Sequence, residues 1–259
     1  MSVYSKKIAD ILKGRIINVL LIPKDIIGFV AGYVKLKHTE DNGFPIVRII
    51  PILGNNHLAA GGIDRHYFLQ DIYMAQKVRD NNPENHYDIG SRVDGFISHL
   101  LCDNIPVTMI DIRPLPQQVE GLTFIQSDAT SLTNFDDSSI GSLSTLHAIE
   151  HFGLSRYGDS LDIEACKKAM KEIQRVIKEN GFLYFSVPIS KDSGIVYNSH
   201  RVFKPSYILE QFDKLVLISF AFIHDYSVSE YYGEEALRVI ASNEFDEYDC
   251  GMFVFTKPE

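Results

Sequence analysis

The chain has 259 residues, of which 45% are hydrophobic and 23% charged, a composition that supports a substantial buried core. Its net charge of -9 argues against nucleic acid as a partner, because phosphate binding normally requires a basic face. The cysteines, Cys102, Cys166 and Cys250, form neither a Cys-x-x-Cys zinc pair nor an even disulfide set. These features favour a globular protein of the reducing cytoplasm.

The first 38 residues combine basic charge with apolar residues at helical spacing, and they hold seven Lys or Arg against two Asp. One interpretation is a basic amphipathic helix that lies on an anionic membrane, at its inner face. The other is a helical pair that packs on the remaining chain or on a second copy in a homodimer. Pro23, Lys24 and Asp25 interrupt the apolar run, so no membrane span is predicted, and no signal peptide is apparent.

Residues 39–62 are rich in Gly, Pro and Asn and predict a linker with short extended pieces. We therefore divide the chain into an N-terminal helical extension with its linker, 1–62, and a main domain, 63–259. The main domain begins with a segment from Asp64 to Val78 that contains no helix breaker and predicts a helix.

The stretch from His86 to Gly95 predicts the end of a buried strand that turns through glycine into a helix. Gly90 allows the backbone to approach a ligand closely, and the free N–H groups of a first helical turn attract electronegative ligand atoms. Asp88, at the strand end, can accept hydrogen bonds. The pattern indicates a pocket of the nucleotide-binding type.

Two more strands are predicted to end in acidic residues. The strand from Val107 to Ile112 contains Asp111, which follows Asp88 at the separation where an acidic residue meets a ribose diol. The next strand ends at Asp128 and Ala129, where an acid could bond the exocyclic amine of adenine.

The remaining predicted elements are a fourth strand from Ile140 to Leu146, a helix from Asp162 to Asn180, a fifth strand from Phe182 to Val187, a helix from Pro205 to Phe212, a sixth strand from Leu215 to Ile223, an acidic excursion from Asp225 to Asp249 and a seventh strand from Gly251 to Thr256.

The sequences Asp-Ile-Gly-Ser-Arg, Ile-Asp-Ile, Ser-Asp-Ala and Leu-His-Ala-Ile-Glu-His resemble successive motifs of class I S-adenosylmethionine-dependent methyltransferases, over roughly residues 60 to 259. Within that superfamily the chain is similar to a domain-of-unknown-function family that resembles methyltransferases of bacterial surface polysaccharides. The resemblance implies a doubly wound, Rossmann-like α/β fold with seven strands, the last antiparallel. It also implies S-adenosyl-L-methionine as cofactor and O-methyl transfer to a carbohydrate or carbohydrate-linked group.

The resemblance also assigns the cofactor-binding residues. In the first motif this chain has Arg92 and Asp94 where the superfamily usually has glycines, and Arg92 is expected to pair with the cofactor carboxylate. The predicted cofactor-binding residues are Tyr67, Gln70, Asp88, Gly90, Ser91, Arg92, Asp111, Ile112, Asp128, Ala129 and His147.

Three histidines are candidates for the general base that a hydroxyl acceptor requires: His147, His151 and His200. We prefer His200, because a flexible loop would bring it over the mouth of the site. Histidines 147 and 151, with Glu150, could also form part of a metal site, but the spacing alone is weak and no tightly held metal is predicted.

Two other functions stay open at this point. A dinucleotide-dependent oxidoreductase would also use the acid after the second strand, although the Gly-x-Gly-x-x-Gly sequence is absent. A catalytically silent scaffold that partners an active enzyme would tolerate the loss of the motif glycines.

Overall fold

The chain divides into two compact units, Met1–Ile63 and Asp64–Glu259. In this computed structural model the described residues are 24–38, 46, 48–51, 62–246 and 248–259. In the first unit, residues 24–37 form helix α1, while residues 1–23 and most of the predicted linker lie outside the described residues. Among the helices of the described ranges, none is long and apolar enough to cross a membrane.

The second unit alternates strands and helices. Its helices are α2 (Arg65–Asn81), α3 (Ser98–Cys102), α4 (Ala165–Val176), α5 (Pro205–Gln211) and α6 (Gly233–Ser242), with a π-helical turn at Val93–Ile97 and a 3-10 turn at Ile149–His151. Its strands are β1 (His86–Ile89), β2 (Val107–Asp111), β3 (Leu122–Gln126), β4 (Ile140–Leu146), β5 (Ile177–Ile189), β6 (Gly194–Val196), β7 (His200–Val202), β8 (Val216–His224), β9 (Ser227–Tyr232) and β10 (Asp249–Thr256).

Eight of these strands form one sheet in the order β3-β2-β1-β4-β5-β10-β8-β9, and β6 pairs with β7 in a separate hairpin. The strands from β3 to β5 are parallel, whereas β10 runs antiparallel to both β5 and β8. The chain moves outward from β1 to β3 and then crosses back to β4. The carboxyl ends of β1 and β4 therefore flank a topological switch point, where ligands bind in folds of this kind.

Helices cover both faces of the sheet, as the predicted doubly wound architecture requires. Along β10, the side chains of Phe253 and Phe255 belong to one apolar cluster and those of Met252 and Val254 to the other, which is the two-residue period of a strand buried on both faces. Apolar residues of α4, α5 and α6 complete the first cluster, and residues of α2 and α3 complete the second.

Two strands of the sheet differ from the prediction, and helix α6 also lies inside the predicted acidic excursion. Strand β9 lies inside the predicted acidic excursion and adds an eighth strand, because its Glu230 is neutralised by Lys77 (2.5 Å) and accepts a hydrogen bond from Tyr73 (2.6 Å) on α2. Strand β5 begins at Ile177 instead of Phe182, so α4 ends earlier than predicted. An irregularity in the β4–β5 register accommodates the residues between these two positions.

Candidate functional site

The turn after β1 is held by its own side chains. Asp88 is fully buried and accepts hydrogen bonds from the Ser91 N–H (2.9 Å), the Ser91 hydroxyl (2.8 Å) and the Ser144 hydroxyl of β4. Burial raises the pKa of Asp88 to about 6. Gly90 has a φ of 78°, and a Cβ atom there would lie 3.0 Å from the Cβ of Ala148, so this position favours glycine.

Arg92 and Asp94, the residues that replace the usual glycines of this motif, lie at the surface of the protein. Arg92 pairs with Asp94 through two hydrogen bonds of 3.0 and 2.9 Å, and both side chains are exposed. Gly95 admits the carboxylate of Asp71, because a Cβ atom at this position would lie 2.5 Å from Asp71 Oδ2. The expected role of Arg92 toward a cofactor carboxylate stays a prediction, and it would require the guanidinium to leave Asp94.

The end of β2 presents a carboxylate and an apolar side chain side by side. The side chain of Asp111 is 9% exposed, and its Oδ1 accepts from the Arg113 N–H (2.8 Å) and Nε (3.0 Å), while its Oδ2 accepts from Arg113 Nη2 (2.7 Å). The next residue, Ile112, is 42% exposed. A carboxylate beside an exposed aliphatic side chain suits a ribose diol beside the face of a base.

The segment after β3 continues this edge. Asp128 is exposed and accepts a hydrogen bond from the Thr130 N–H (2.8 Å), whereas Ala129 is buried. The Ser127 N–H donates to the Asp111 carbonyl (3.1 Å), which ties the ends of β2 and β3 together. We call the ends of β1, β2 and β3, with their residues Asp88, Gly90, Asp111, Ile112 and Asp128, the cofactor edge.

His147 follows β4 in a strained backbone conformation, with a φ of 48°. Its Nδ1 lies 2.7 Å from Gln70 Oε1, which also accepts from the Ser186 hydroxyl (2.5 Å), and Gln70 Nε2 donates to Asp71 (3.0 Å). Because these bonds orient the Gln70 amide, the His147 ring carries its proton on Nδ1. Its Nε2 is buried and has no hydrogen-bond partner among the described residues.

Three further histidines, His66, His151 and His200, lie near His147 or near one another. The centroid of His66 lies 6.1 Å from that of His147, and the centroid of His200 lies 6.2 Å from that of His151. Tyr248 joins the two pairs, with its centroid 5.0 Å from His66 and 5.2 Å from His200. We call the four imidazoles, His66, His147, His151 and His200, the histidine cluster.

The histidine cluster is buried, and this sets its charge. Burial holds the pKa of His147 well below its usual range, and the three other histidines lower it further. The pKa of His151 is also lowered, again chiefly by burial. Both imidazoles are therefore neutral at pH 7, and each has one nitrogen lone pair able to accept a proton.

Glu150 lies next to the histidine cluster in the 3-10 turn after β4. Its side chain is 1% exposed, its Oε1 lies 3.8 Å from His151 Nε2, and its Oε2 has no hydrogen-bond partner among the described residues. Burial raises the pKa of Glu150 to about 8. At pH 7 most molecules therefore hold this carboxyl group protonated.

His200 does not lie on the flexible loop that the sequence suggested. The segment folds into the β6–β7 hairpin, in which His200 pairs with Val196, and its ring is 9% exposed. The hairpin is attached to the turn after β4, because Arg201 donates to the Phe152 carbonyl (2.6 Å) and the His151 ring contacts the Ser199 carbonyl (2.9 Å). The premise for preferring His200 as the base is wrong, since pairing and burial replace the expected mobility.

Within the described ranges, one group of three metal-type side chains has ligand atoms within 4.8 Å of one another: His224, Asp246 and Asp249. It lies at the β8–β10 end of the sheet and is a different set from the one considered in the sequence. Hydrogen bonds inside this group, from His224 to Asp249 (3.1 Å) and from the Asp246 N–H to Asp249 (3.0 Å), account for its geometry.

Solved structures identify the fold. The 1,6-didemethyltoxoflavin-N1-methyltransferase of Burkholderia thailandensis, crystallised with 1,6-didemethyltoxoflavin and S-adenosylhomocysteine, is 12% identical and superposes with a TM-score of 0.53, over 76% of this chain and 80% of that chain. The Haemonchus contortus phosphoethanolamine N-methyltransferase 2, in complex with S-adenosyl-L-methionine, is 13% identical with a TM-score of 0.50, over 74% of this chain and 53% of that chain. The chain has the Rossmann-like methyltransferase fold.

The [4+2]-cyclase SpnF is also similar in structure, with 13% identity and a TM-score of 0.50, over 72% of this chain and 81% of that chain. A family model described as "Caenorhabditis protein of unknown function, DUF268" matches residues 123–246. No curated protein matches the chain. These comparisons confirm the predicted α/β fold, and they leave the polysaccharide resemblance as a prediction.

In this methyltransferase fold, several residues that contact the site had no distinctive local sequence signal. They are His66 on α2, Tyr157 and Arg156 in the segment before α4, Ser186 on β5 and Tyr248 before β10. Arg113 could have been singled out, because an arginine two residues after a strand-end aspartate can reach back to the carboxylate. The others converge only because α2 and the amino end of β10 meet the carboxyl ends of β4 and β5.

Proposed function

We propose that this protein is an S-adenosylmethionine-dependent methyltransferase. The observation that carries the proposal is the cofactor edge: a glycine with positive φ after β1 and a carboxylate beside an exposed isoleucine after β2, at the switch point of a methyltransferase fold. When bound, the cofactor supplies an electrophilic methyl group on a sulfonium. Methyltransferases of this fold have been crystallised with S-adenosylmethionine or S-adenosylhomocysteine, which supports the same cofactor here.

Each part of the cofactor edge would hold a different part of the ligand. Asp111 would accept hydrogen bonds from the ribose hydroxyls, and Ile112 would pack on the adenine face. Asp128 and the adjoining Ala129 would border the adenine edge. Gly90 would let the methionine portion lie against the backbone of the turn.

For the acceptor we propose a hydroxyl group of a carbohydrate or carbohydrate-linked molecule, such as a surface polysaccharide precursor. A hydroxyl group must lose a proton as its oxygen attacks, and the histidine cluster supplies neutral imidazoles beside the cofactor edge. The half-exposed rings of Tyr67 and Tyr157 offer flat apolar faces of the kind that contact sugar rings. An acceptor of this class is also what the sequence resemblance predicts.

Among the histidines, the geometry favours His147 as the base. Its proton position is set by Gln70, its Nε2 lone pair is unpartnered among the described residues, and its backbone is strained. Gln70 and Ser186 would act as positioning residues, since they hold the ring in one tautomer. His147 is therefore both a candidate cofactor contact and the preferred base.

Titration calorimetry with the full chain tests the cofactor. We expect S-adenosylmethionine and S-adenosylhomocysteine to bind and NAD to give no heat. Binding of NAD alone would favour the oxidoreductase, and absence of binding by all three would refute the proposal. A turnover assay with glycan extracts of the source organism then distinguishes an enzyme from a silent scaffold. The scaffold would bind the cofactor but form no S-adenosylhomocysteine.

A membrane contact through residues 1–38 is a second proposal. In α1, the exposed apolar residues Ile27, Val30 and Val34 recur at helical spacing, and Lys24, Lys35 and Lys37 belong to the same helix or its end. We expect the full chain to co-sediment with anionic vesicles and to be released by salt. Co-sedimentation that persists after removal of residues 1–38 would contradict this, and a concentration-dependent dimer that this truncation abolishes would favour the homodimer instead.

A further inference from the structure

The carboxylate at the end of β2 already has a cationic partner. Both oxygens of Asp111 accept from the Arg113 side chain, and Oδ1 also accepts from the Arg113 backbone N–H. A ribose diol that bonds to Asp111 would replace the guanidinium bonds, because a carboxylate at a crowded strand end has few free acceptor positions. The guanidinium of Arg113 would then need another partner.

That guanidinium already lies on an aromatic ring. The Arg113 guanidinium carbon is 4.9 Å from the centroid of Tyr157, and the guanidinium carbon of Arg156 is 5.1 Å from the same centroid. The two distances limit the separation of the guanidinium carbons to about 10 Å. Two cations beside one ring repel each other unless an anion lies between or near them.

Arg156 has no carboxylate within salt-bridge distance among the residues that the structure describes; its Nη1 donates to the Ser199 carbonyl (3.0 Å). Asp159, the acidic residue of the same segment, accepts from the Tyr157 N–H (3.1 Å). The Tyr157 ring is 40% exposed and packs edge-on against His151, with centroids 5.3 Å apart. The two arginines therefore lie beside the histidine cluster, on a chain whose net charge is -9.

We propose that Arg113, Tyr157 and Arg156 form an acceptor subsite for a phosphate group, and that the cofactor makes this subsite available by taking Asp111 from Arg113. The substrate class is then a phosphate-bearing acceptor, such as a sugar phosphate, with its reacting hydroxyl near the histidine cluster. This inference rests on the proposed function for its coupling to the cofactor. A guanidinium is suited to phosphate because it donates two parallel hydrogen bonds.

The coupling has a thermodynamic signature. If S-adenosylhomocysteine releases Arg113, it must raise the affinity for phosphate, and phosphate must raise the affinity for S-adenosylhomocysteine by the same factor. Removing the charge of Asp111 should release Arg113 without any cofactor. Asp111→Asn should therefore weaken cofactor binding and strengthen phosphate binding.

The test is titration calorimetry of inorganic pyrophosphate into the full chain at constant ionic strength, with and without saturating S-adenosylhomocysteine. We expect the cofactor product to tighten pyrophosphate binding about tenfold, the effect of roughly one charge-assisted contact. Asp111→Asn should reach the tighter affinity without cofactor. Arg113→Ala and Arg156→Ala should each lose about tenfold in the tight state, whereas the exposed control Arg79→Ala should lose nothing.

The proposal is overturned if wild type and Asp111→Asn bind pyrophosphate equally, each with and without S-adenosylhomocysteine. It is also overturned if neither arginine substitution changes the pyrophosphate affinity. If wild type binds no S-adenosylhomocysteine, the proposed function fails, and the Asp111→Asn titration still decides the subsite alone. Two further ligands identify the chemistry: α-glucose 1-phosphate should bind more tightly than glucuronate. The reverse order would replace phosphate by a carboxylate and contradict the assignment.

Discussion

The carboxyl edge of the sheet has two halves that are built in different ways. In the cofactor edge, each carboxylate accepts from a backbone N–H two or three residues further along the chain: Asp88 from Ser91, Asp111 from Arg113 and Asp128 from Thr130. Around the histidine cluster, the contacts that position His147 join residues that are far apart in sequence. The Gln70–His147 pair and the Gln70–Ser186 pair are examples.

The difference has a physical cause. A short side chain that closes a turn needs only the right residue at the right spacing, so the local sequence encodes it. Burial of an imidazole with its partners requires helix α2 and strands β4, β5 and β10 to be packed first. The cofactor edge should therefore tolerate few backbone changes, whereas the histidine cluster should respond to loss of single side chains and to pH.

The largest expected effect comes from Gly90. Replacement by valine puts a branched side chain at a φ of 78° and against Ala148, so we expect cofactor affinity to fall by more than about 100-fold with the far-ultraviolet circular dichroism unchanged. Gly121→Val is the matched control, because Gly121 has the same φ and the same 3.0 Å clearance, but it precedes β3 at the opposite edge. Equal loss of cofactor binding in both variants would contradict a specific role for Gly90.

Substitution of His147 tests the role of the histidine cluster. We expect His147→Ala to lower turnover by about 100-fold or more, because proton removal by a positioned base contributes typically 10²- to 10⁴-fold, while cofactor affinity changes less. His200→Ala should retain most of the turnover. If His200→Ala loses more turnover than His147→Ala in a rate assay with the identified acceptor, the base is His200 on β7.

Gln70 offers a conservative check on His147. Gln70→Leu keeps the size of the side chain but removes the acceptor that holds the His147 proton on Nδ1. We expect turnover to fall and the pH profile of kcat to change, with little effect on the cofactor affinity. A change confined to stability would mean that Gln70 only supports packing.

Asp111 should have an intermediate effect on the cofactor edge. Its replacement by alanine should weaken S-adenosylmethionine binding by about 1 to 3 kcal/mol, since the ribose hydroxyls lose a charged acceptor. Calorimetric titration of wild type and variant measures the difference. An unchanged dissociation constant would remove Asp111 from the site.

The last prediction concerns stability, at Glu150. Burial raises its pKa to about 8 in the folded state, above the ordinary value of 4.5 expected when the chain is unfolded. The folded state therefore holds this proton more tightly, and the stability linked to it is lost as pH rises from about 4.5 through 8. Glu150→Gln should flatten the decline of Tm over this range, whereas the exposed Glu164→Gln should follow wild type in thermal melts.

The order of β1 to β5, α5, β8 and β10 followed from residue spacing, whereas β6, β7, β9 and α6 were not predicted. Asp64 begins α2 as its N-cap, accepting from the His66 N–H (3.1 Å), and the glycine after β1 turns the chain as predicted. Both signals are local, since a cap or a positive φ depends on the residues of one turn. The family resemblance also predicted the antiparallel last strand, and β10 runs antiparallel to β5 and β8.

What the sequence could not determine depends on partners that are distant along the chain. The acidic excursion contains β9 because α2 supplies Lys77 to neutralise Glu230. The acidic residues of this segment, counted by themselves, predict a solvent-exposed insertion instead of a strand. His200 is buried because the β6–β7 hairpin packs on the turn after β4. Turn chemistry is encoded by neighbours within a few residues, whereas burial, and with it the protonation of a histidine or glutamate, is decided only when separate elements exclude water together.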